Sequence, residues 1–197
     1  YQLHWPNRPH YHFENTWTFD PFGQDRERVR QSLLEILETL DDQVKAGKIR
    51  AIGVSNETSW GLMEFLKLSD QRGLARMATI QNEYNLIRRQ FDWDLAEICA
   101  FEDVSLLAYS PLAAGVLTGK YNDGAVPPGT RGDIGSMWRR NDQSEAATKA
   151  YMALAQKHGI DHNQMALAFC LRQPFMASVI IGATSMDQLR TNIGASE

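Results

Sequence analysis

The chain has 197 residues, 43% of them apolar and 22% charged, with a formal net charge of −4. That length supports one sizeable core, or at most two small ones, in an ordinary soluble domain. The acidic balance excludes a general attraction for nucleic acid or an anionic membrane, and no apolar stretch approaches the roughly 20 residues that span a bilayer.

Tyr1-Gln-Leu-His-Trp-Pro6 opens the chain as a strand with no methionine, cap or turn before it. Residues 6–24 form a loop rich in proline, histidine and aromatics, of a length that usually marks a functional segment or an insertion. From Asp25 to Gly47 the residues Val29, Leu33, Ile36, Leu37, Leu40 and Val44 recur at helical spacing, and Gly47 supplies the stop. A second strand, Ile49–Asn56, follows directly. Glu57-Thr58-Ser59 then offers N-caps to a helix with Leu62, Phe65, Leu66 and Leu68 on its apolar face, ending near Gly73.

The third strand lies near Met77–Gln81, and Phe91, Leu95, Ile98 and Phe101 predict a helix over 89–101. The fourth strand covers about 104–109, and a glycine-rich segment runs from 110 to 142. Two helices are predicted over about 143–158 and 162–173, the second capped by Asp161 and closed by Pro174. The last strand, about 177–181, leads into a helix with Asp187 in its first turn, expected to run to the end of the chain.

Strands alternating with helices argue for a parallel sheet built from right-handed crossovers. If such a sheet closes into a barrel, the C-terminal strand ends converge on the active face. Here those ends carry His4, Ser55, Asn56, Gln81, Tyr109, Ser110 and Thr184, which suit a polar, nucleotide-sized ligand. Five strands do not close an eight-stranded barrel, which needs about 250 residues. Residues 1–197 are therefore expected to form a single domain, the C-terminal part of a longer (β/α)8 TIM barrel truncated at both ends. An open doubly wound sheet is the alternative, and no Gly-x-Gly-x-x-Gly turn follows a first strand to support it.

Cys99 and Cys170 sit in separate helical patterns without metal spacing, as expected of two reduced, mostly buried thiols in a cytoplasmic protein. The histidines at 10, 12, 158 and 162 form no metal set.

Five motifs in order resemble the aldo-keto reductase superfamily over nearly the whole chain. They are Tyr1-Gln-Leu-His-Trp-Pro6, Gly47-Lys-Ile-Arg-Ala-Ile-Gly-Val-Ser-Asn56, Thr79-Ile-Gln-Asn82, Ala108-Tyr-Ser-Pro-Leu112 with Leu117-Thr-Gly-Lys-Tyr121, and Ile181-Gly-Ala-Thr184 with Met186-Asp-Gln-Leu189 and Asn192. The ending Gly182–Asn192 and Gln164-Met-Ala-Leu-Ala-Phe169 are similar to the Tas-like branch, near the potassium-channel beta subunits.

The resemblance implies NADPH-dependent reduction of an aldehyde or ketone to an alcohol in the intact protein. It makes His4 the active-site histidine that donates a hydrogen bond to the substrate carbonyl. By strand alternation Gln2 and His4 share a face, pointing inward if Tyr1 and Leu3 pack on helices. Ser55, Asn56 and Gln81 would hold the nicotinamide carboxamide, which needs donors and acceptors together, and Tyr109 would stack on the nicotinamide ring. Ser110, Pro111, Leu112, Lys120 and Arg131 would line the pyrophosphate, with Arg139 or Arg140 as substitutes for Arg131. Gly182, Thr184, Gln188 and Asn192 would hold the adenosine end, where a helix N-terminus favours the 2′-phosphate of NADP(H) over NADH.

Trp5 and Tyr84, with the aromatic loop of His10, Tyr11, Phe13, Trp17 and Phe19, are expected to wall the pocket of a small-molecule carbonyl substrate. No metal, nucleic-acid or membrane partner is expected. The family pairs the histidine with an Asp, a Tyr and a Lys that precede it, so the 197 residues alone are expected to be inactive. A nucleotide-binding regulatory subunit of the channel beta-subunit type is the competing expectation.

Overall fold

The computed structural model describes every residue except 13, 14, 136 and 138. Five strands, β1 (Gln2–Leu3), β2 (Ile52–Ser55), β3 (Met77–Glu83), β4 (Ser105–Tyr109) and β5 (Met176–Val179), follow one another in the sheet in chain order. The β1–β2 and β2–β3 pairings are parallel, with Gln2 opposite Gly53 and Ser55 opposite Gln81. Between them run α1 (Arg26–Lys45), α2 (Ser59–Arg72), α3 (Leu95–Glu102), α4 (Arg131–Ile134), α5 (Asp142–Lys157) and α6 (His162–Leu171), and α7 (Met186–Gly194) follows β5. This is the strand–helix alternation expected of an α/β chain.

The described residues divide into two units, Tyr1–Asn82 with Asp92–Leu107 and Glu83–Phe91 with Ala108–Glu197. In the first, β2 is buried along its whole length, as a strand covered on both faces should be. Leu33 and Leu37 of α1, Leu62, Phe65 and Leu66 of α2, and Met77, Ile80 and Leu106 of the neighbouring strands are buried with it. Asp25 caps α1 by accepting the Arg28 amide at 3.1 Å, and Thr58 caps α2 by accepting the Gly61 amide at 3.3 Å. Gly73, at φ +65°, ends α2 in the left-handed conformation that glycine adopts without penalty.

In the second unit, Ala113, Val116, Leu117, Tyr121 and Ala166 form one buried cluster. Tyr84 is fully buried in another, stacked on Phe169 with ring centroids 5.7 Å apart and edge-on to Phe175 at 5.6 Å. A capping box of Asn141 and Ser144 starts α5, and Asp161 caps α6 through the Asn163 and Gln164 amides. Strand β5 is only partly covered, with Ala177 and Ser178 exposed, and Ile180 and Ile181 just beyond it are 40% and 37% exposed.

Four expectations are corrected. Tyr1 is 70% exposed rather than packed on a helix, and the first strand is only two residues long. The helix expected over 89–101 begins at Leu95, because the Asp94 carboxylate accepts the Leu95 amide at 2.7 Å. Phe91 stands before it in a separate 3-10 turn, Gln90–Asp92. Within the glycine-rich segment, 3-10 turns at Ala113–Thr118 and Asn122–Gly124 precede α4. The last helix stops at Gly194 instead of running to the chain end. Among the described residues no helix is long and apolar enough to cross a membrane.

Candidate functional site

In the first unit the expected residues gather at the ends of β1, β2 and β3. His4 leaves β1 exposed, its ring 5.0 Å from that of Trp5, which stacks in turn on His10 at 6.0 Å. The buried Ser55 hydroxyl donates to the Gln81 carbonyl at 2.7 Å. Asn56, also buried, turns through φ +53° and donates its side-chain amide to the His4 carbonyl at 2.9 Å and to the Ser55 hydroxyl at 3.2 Å. The side-chain donors of Ser55 and Asn56 are thus spent inside the protein. The half-buried side-chain amide of Gln81 has no partner among the described residues and offers both a donor and an acceptor.

Beneath these ends lies a network that sequence reasoning missed. Glu57, 2% exposed, takes two hydrogen bonds from Arg8, at 2.5 and 3.1 Å. Arg8 also donates to the Thr58 hydroxyl at 3.1 Å and lies 4.9 Å over the Trp60 ring. Asn82 donates to the Glu57 carbonyl at 3.0 Å, so the turn after β2 is clamped from two sides. Burial holds the His10 imidazole below its usual pKa, with the Glu57 charge opposing and Arg8 reinforcing that shift.

In the second unit the expected residues fall into two groups. Tyr109 ends β4 half-buried, and burial, with the nearby charge of Glu83, pushes its phenol well above the usual tyrosine range. Ser110 then turns through φ +52°, its carbonyl accepting from the Asn85 side chain at 3.0 Å and the Ala113 amide at 2.8 Å. Pro111 is buried and Leu112 packs on the adjoining cluster. Lys120 is exposed, its ammonium 5.2 Å over the Tyr121 ring, and its side-chain end lies against Gly115, whose φ of +94° suits glycine. Arg131 is exposed at the start of α4, and the next residue, Gly132, donates its amide to the Tyr121 hydroxyl at 3.2 Å.

The second group surrounds the start of α7. The Thr184 amide and hydroxyl both donate to the Gln188 side-chain oxygen, at 2.8 and 3.1 Å, and Ser185 caps the helix through the Gln188 amide at 3.2 Å. Asn192 is buried and ties back to the Gly182 carbonyl at 3.2 Å. Thr184, Gln188, Asn192 and Gly182 therefore form one local set.

Tyr84, expected on the pocket wall, is instead a core ring with no exposed surface, because Phe169 and Phe175 close over it. Arg139 cannot stand in for Arg131, since Glu83 binds it at 2.6 and 3.1 Å in a mostly buried pair. Trp5 is 45% exposed, Trp17 is 95% exposed, and Phe13 lies outside the described residues. Among the described residues no three His, Cys, Asp or Glu side chains gather as a metal site.

An aldo/keto reductase family model matches residues 1–197. Protein tas of Escherichia coli is 49% identical over 197 residues, covering 98% of this chain and 55% of that protein. An aldo-keto reductase of Babesia bovis is 36% identical over 208 residues, covering 99% of this chain and 72% of its own length. The NADH-specific methylglyoxal reductase of Escherichia coli is 27% identical over 166 residues, 83% of this chain and 48% of that protein. The chain thus spans little more than half the length of the tas protein. With five motifs in order, a parallel strand–helix architecture and a match along its whole length, the chain belongs to the aldo/keto reductase family.

Proposed function

We propose that the intact protein reduces an aldehyde or ketone to an alcohol with hydride supplied by bound NADP(H). The observation that carries this reading is the order of polar groups at successive strand ends in a chain of this family, above all the amide of Gln81, which has no partner among the described residues. That amide fits a carboxamide, which needs one donor and one acceptor opposite it. Ser55 and Asn56 shape the same turn, and their bonds to Gln81 and His4 would hold the receiving groups in place.

Tyr109 gives the nicotinamide ring a flat surface and leaves one face for substrate. Ser110, Pro111 and Leu112 bring the backbone close to the pyrophosphate, and Lys120 and Arg131 add positive charge there. Thr184, Gln188, Asn192 and Gly182 take the adenosine end, where the positive end of α7 favours a 2′-phosphate. His4 donates to the substrate oxygen as charge develops on it, and Trp5 bounds the substrate. In the intact protein the Asp, Tyr and Lys implied by the family resemblance complete the tetrad and deliver the proton. We place these residues in one barrel domain of a cytoplasmic protein whose partner is a small carbonyl compound, with no nucleic acid or membrane.

The test is NADPH oxidation by the full-length protein with a simple aromatic aldehyde, beside nucleotide titrations. Turnover and a lower Kd for NADPH than for NADH are expected. The 197 residues expressed alone should give no turnover even at saturating NADPH. Equal dissociation constants would remove the 2′-phosphate assignment, and turnover by the short chain would remove the tetrad argument.

A further inference from the structure

A cavity of about 510 Å³ opens in the first unit between the loop after β1 and the first turns of α1 and α2. Its size falls in the range of about 300–1,000 Å³ typical of small-molecule pockets. None of His4, Ser55, Asn56 or Gln81 lines it. The rings of Tyr11, Phe19 and Trp60 make its apolar wall, with Tyr11 and Phe19 edge-on at 6.4 Å. The Arg8 guanidinium, which also lines the cavity, lies 4.9 Å over the Trp60 ring and is fixed in turn by the buried Glu57 carboxylate. An aromatic surface held this way is formed before any ligand arrives.

Among the described residues, the charged groups around the cavity are engaged by the protein itself, apart from Arg26. Arg8 is neutralised by Glu57, and Arg30 pairs with Glu64 at 3.4 Å. Asp94 caps α3 and also accepts the Ser59 hydroxyl. Asp25 is engaged with the Arg28 amide. Arg26, in the lining and at the first residue of α1, has no ion pair among the described residues. Its guanidinium stands where the positive end of a 20-residue helix adds to its charge. A planar fork of donors of this kind matches a carboxylate in bidentate fashion.

We propose that this cavity binds an aromatic carboxylate, its ring against Trp60 and Tyr11 and its carboxylate on Arg26. The site is independent of the nucleotide assignment, and its primary test, binding of an aromatic acid, needs no nucleotide. Calorimetric titration of the full-length protein with naphthoate should saturate, and the neutral naphthamide should bind at least about tenfold more weakly, the usual loss when a hydrogen bond to a charged group goes. Arg26→Gln, at an exposed helix start, should weaken naphthoate by a similar factor while leaving the melting temperature and the NADP(H) affinity unchanged. Trp60→Ala should cost several-fold more through lost ring contact. Absence of saturable binding, equal affinity for the amide, or an Arg26→Gln protein that binds naphthoate normally would each overturn the proposal. Loss of NADP(H) affinity in Arg26→Gln would overturn it too, by making the cavity part of the nucleotide site.

Discussion

The polar groups of the turn after β2, in the first unit, and those of the loops after β4 and β5, in the second, are handled in opposite ways. In the first, Ser55, Asn56 and Glu57 are buried and bonded to the protein itself, down to an ion pair with Arg8 that is 5% and 2% exposed. In the second, Lys120, Arg131, Thr184 and Gln188 stand in solvent, and the carbonyl of Ser110 is held by its neighbours. Buried polar groups must be satisfied before a ligand arrives, so they define geometry and contribute to folding. Exposed cations do little for the fold and are free to add affinity. Changes in the first region should therefore register as stability, and changes in the second as binding.

Glu57→Ala should show the largest effect. It strands the Arg8 guanidinium in a buried position, and breaking a buried pair from one side costs about 3–5 kcal/mol. Urea unfolding reads this directly, and a loss below about 1 kcal/mol would break the contrast between the units. The two cysteines sharpen the same contrast, because Cys99 lies in the first unit and Cys170 in the second. Burial pushes both thiols up to about 12, with Arg89 pulling against that rise at Cys170. At pH 8 each should carry roughly a thousandfold less thiolate than an ordinary cysteine. Mass-spectrometric alkylation should find both protected until denaturant is added. Rapid labelling of Cys170 alone would mean that the interior of the second unit opens.

Smaller effects are expected at the nucleotide. Tyr109→Ala should raise the Kd for NADP(H) between about twofold and tenfold, since ring stacking is worth about 0.5–1.5 kcal/mol beyond area burial. Unchanged affinity with a collapsed melting temperature would make Tyr109 a core ring instead. Lys120→Ala should weaken NADP(H) only a few-fold, and less at high salt, where an exposed charge is screened. Its unfolding free energy should stay within about 0.5 kcal/mol of the parent. A larger drop would show that Lys120 belongs with the structural groups.

Much of the fold was legible because its signals are local. Thr58 and Asp161 announce their helices from one position away, and Gly73 ends α2 where its φ of +65° requires a residue without a side chain. The misreadings arise where local spacing and distant packing disagree. Phe91 and Leu95 stand four residues apart, as in a helix, yet Asp94 caps between them and divides the segment. Tyr84 follows a strand in the manner of a pocket residue, and rings some 85 residues further along the chain bury it. At the strand ends, the motif order singles out Ser55, Asn56 and Gln81 as candidates, but not which of their donors are spent. Arg8 and Glu57 are 49 residues apart, and no periodicity connects them. Glu57 reads in sequence only as one of three capping candidates.

Asn56 and Ser110 have a consequence for engineering. Both turn through a left-handed φ directly after a strand, and neither is glycine. Asparagine tolerates that region, whereas serine is held there at about 1–3 kcal/mol. Ser110→Gly would release that strain, and a thermostability screen would score it as an improvement. The same substitution would loosen the corner that holds one carbonyl between Asn85 and Ala113. A more heat-resistant protein with a less defined corner after β4 is the expected compromise, so selection for melting temperature alone would erode the corner proposed to face the pyrophosphate.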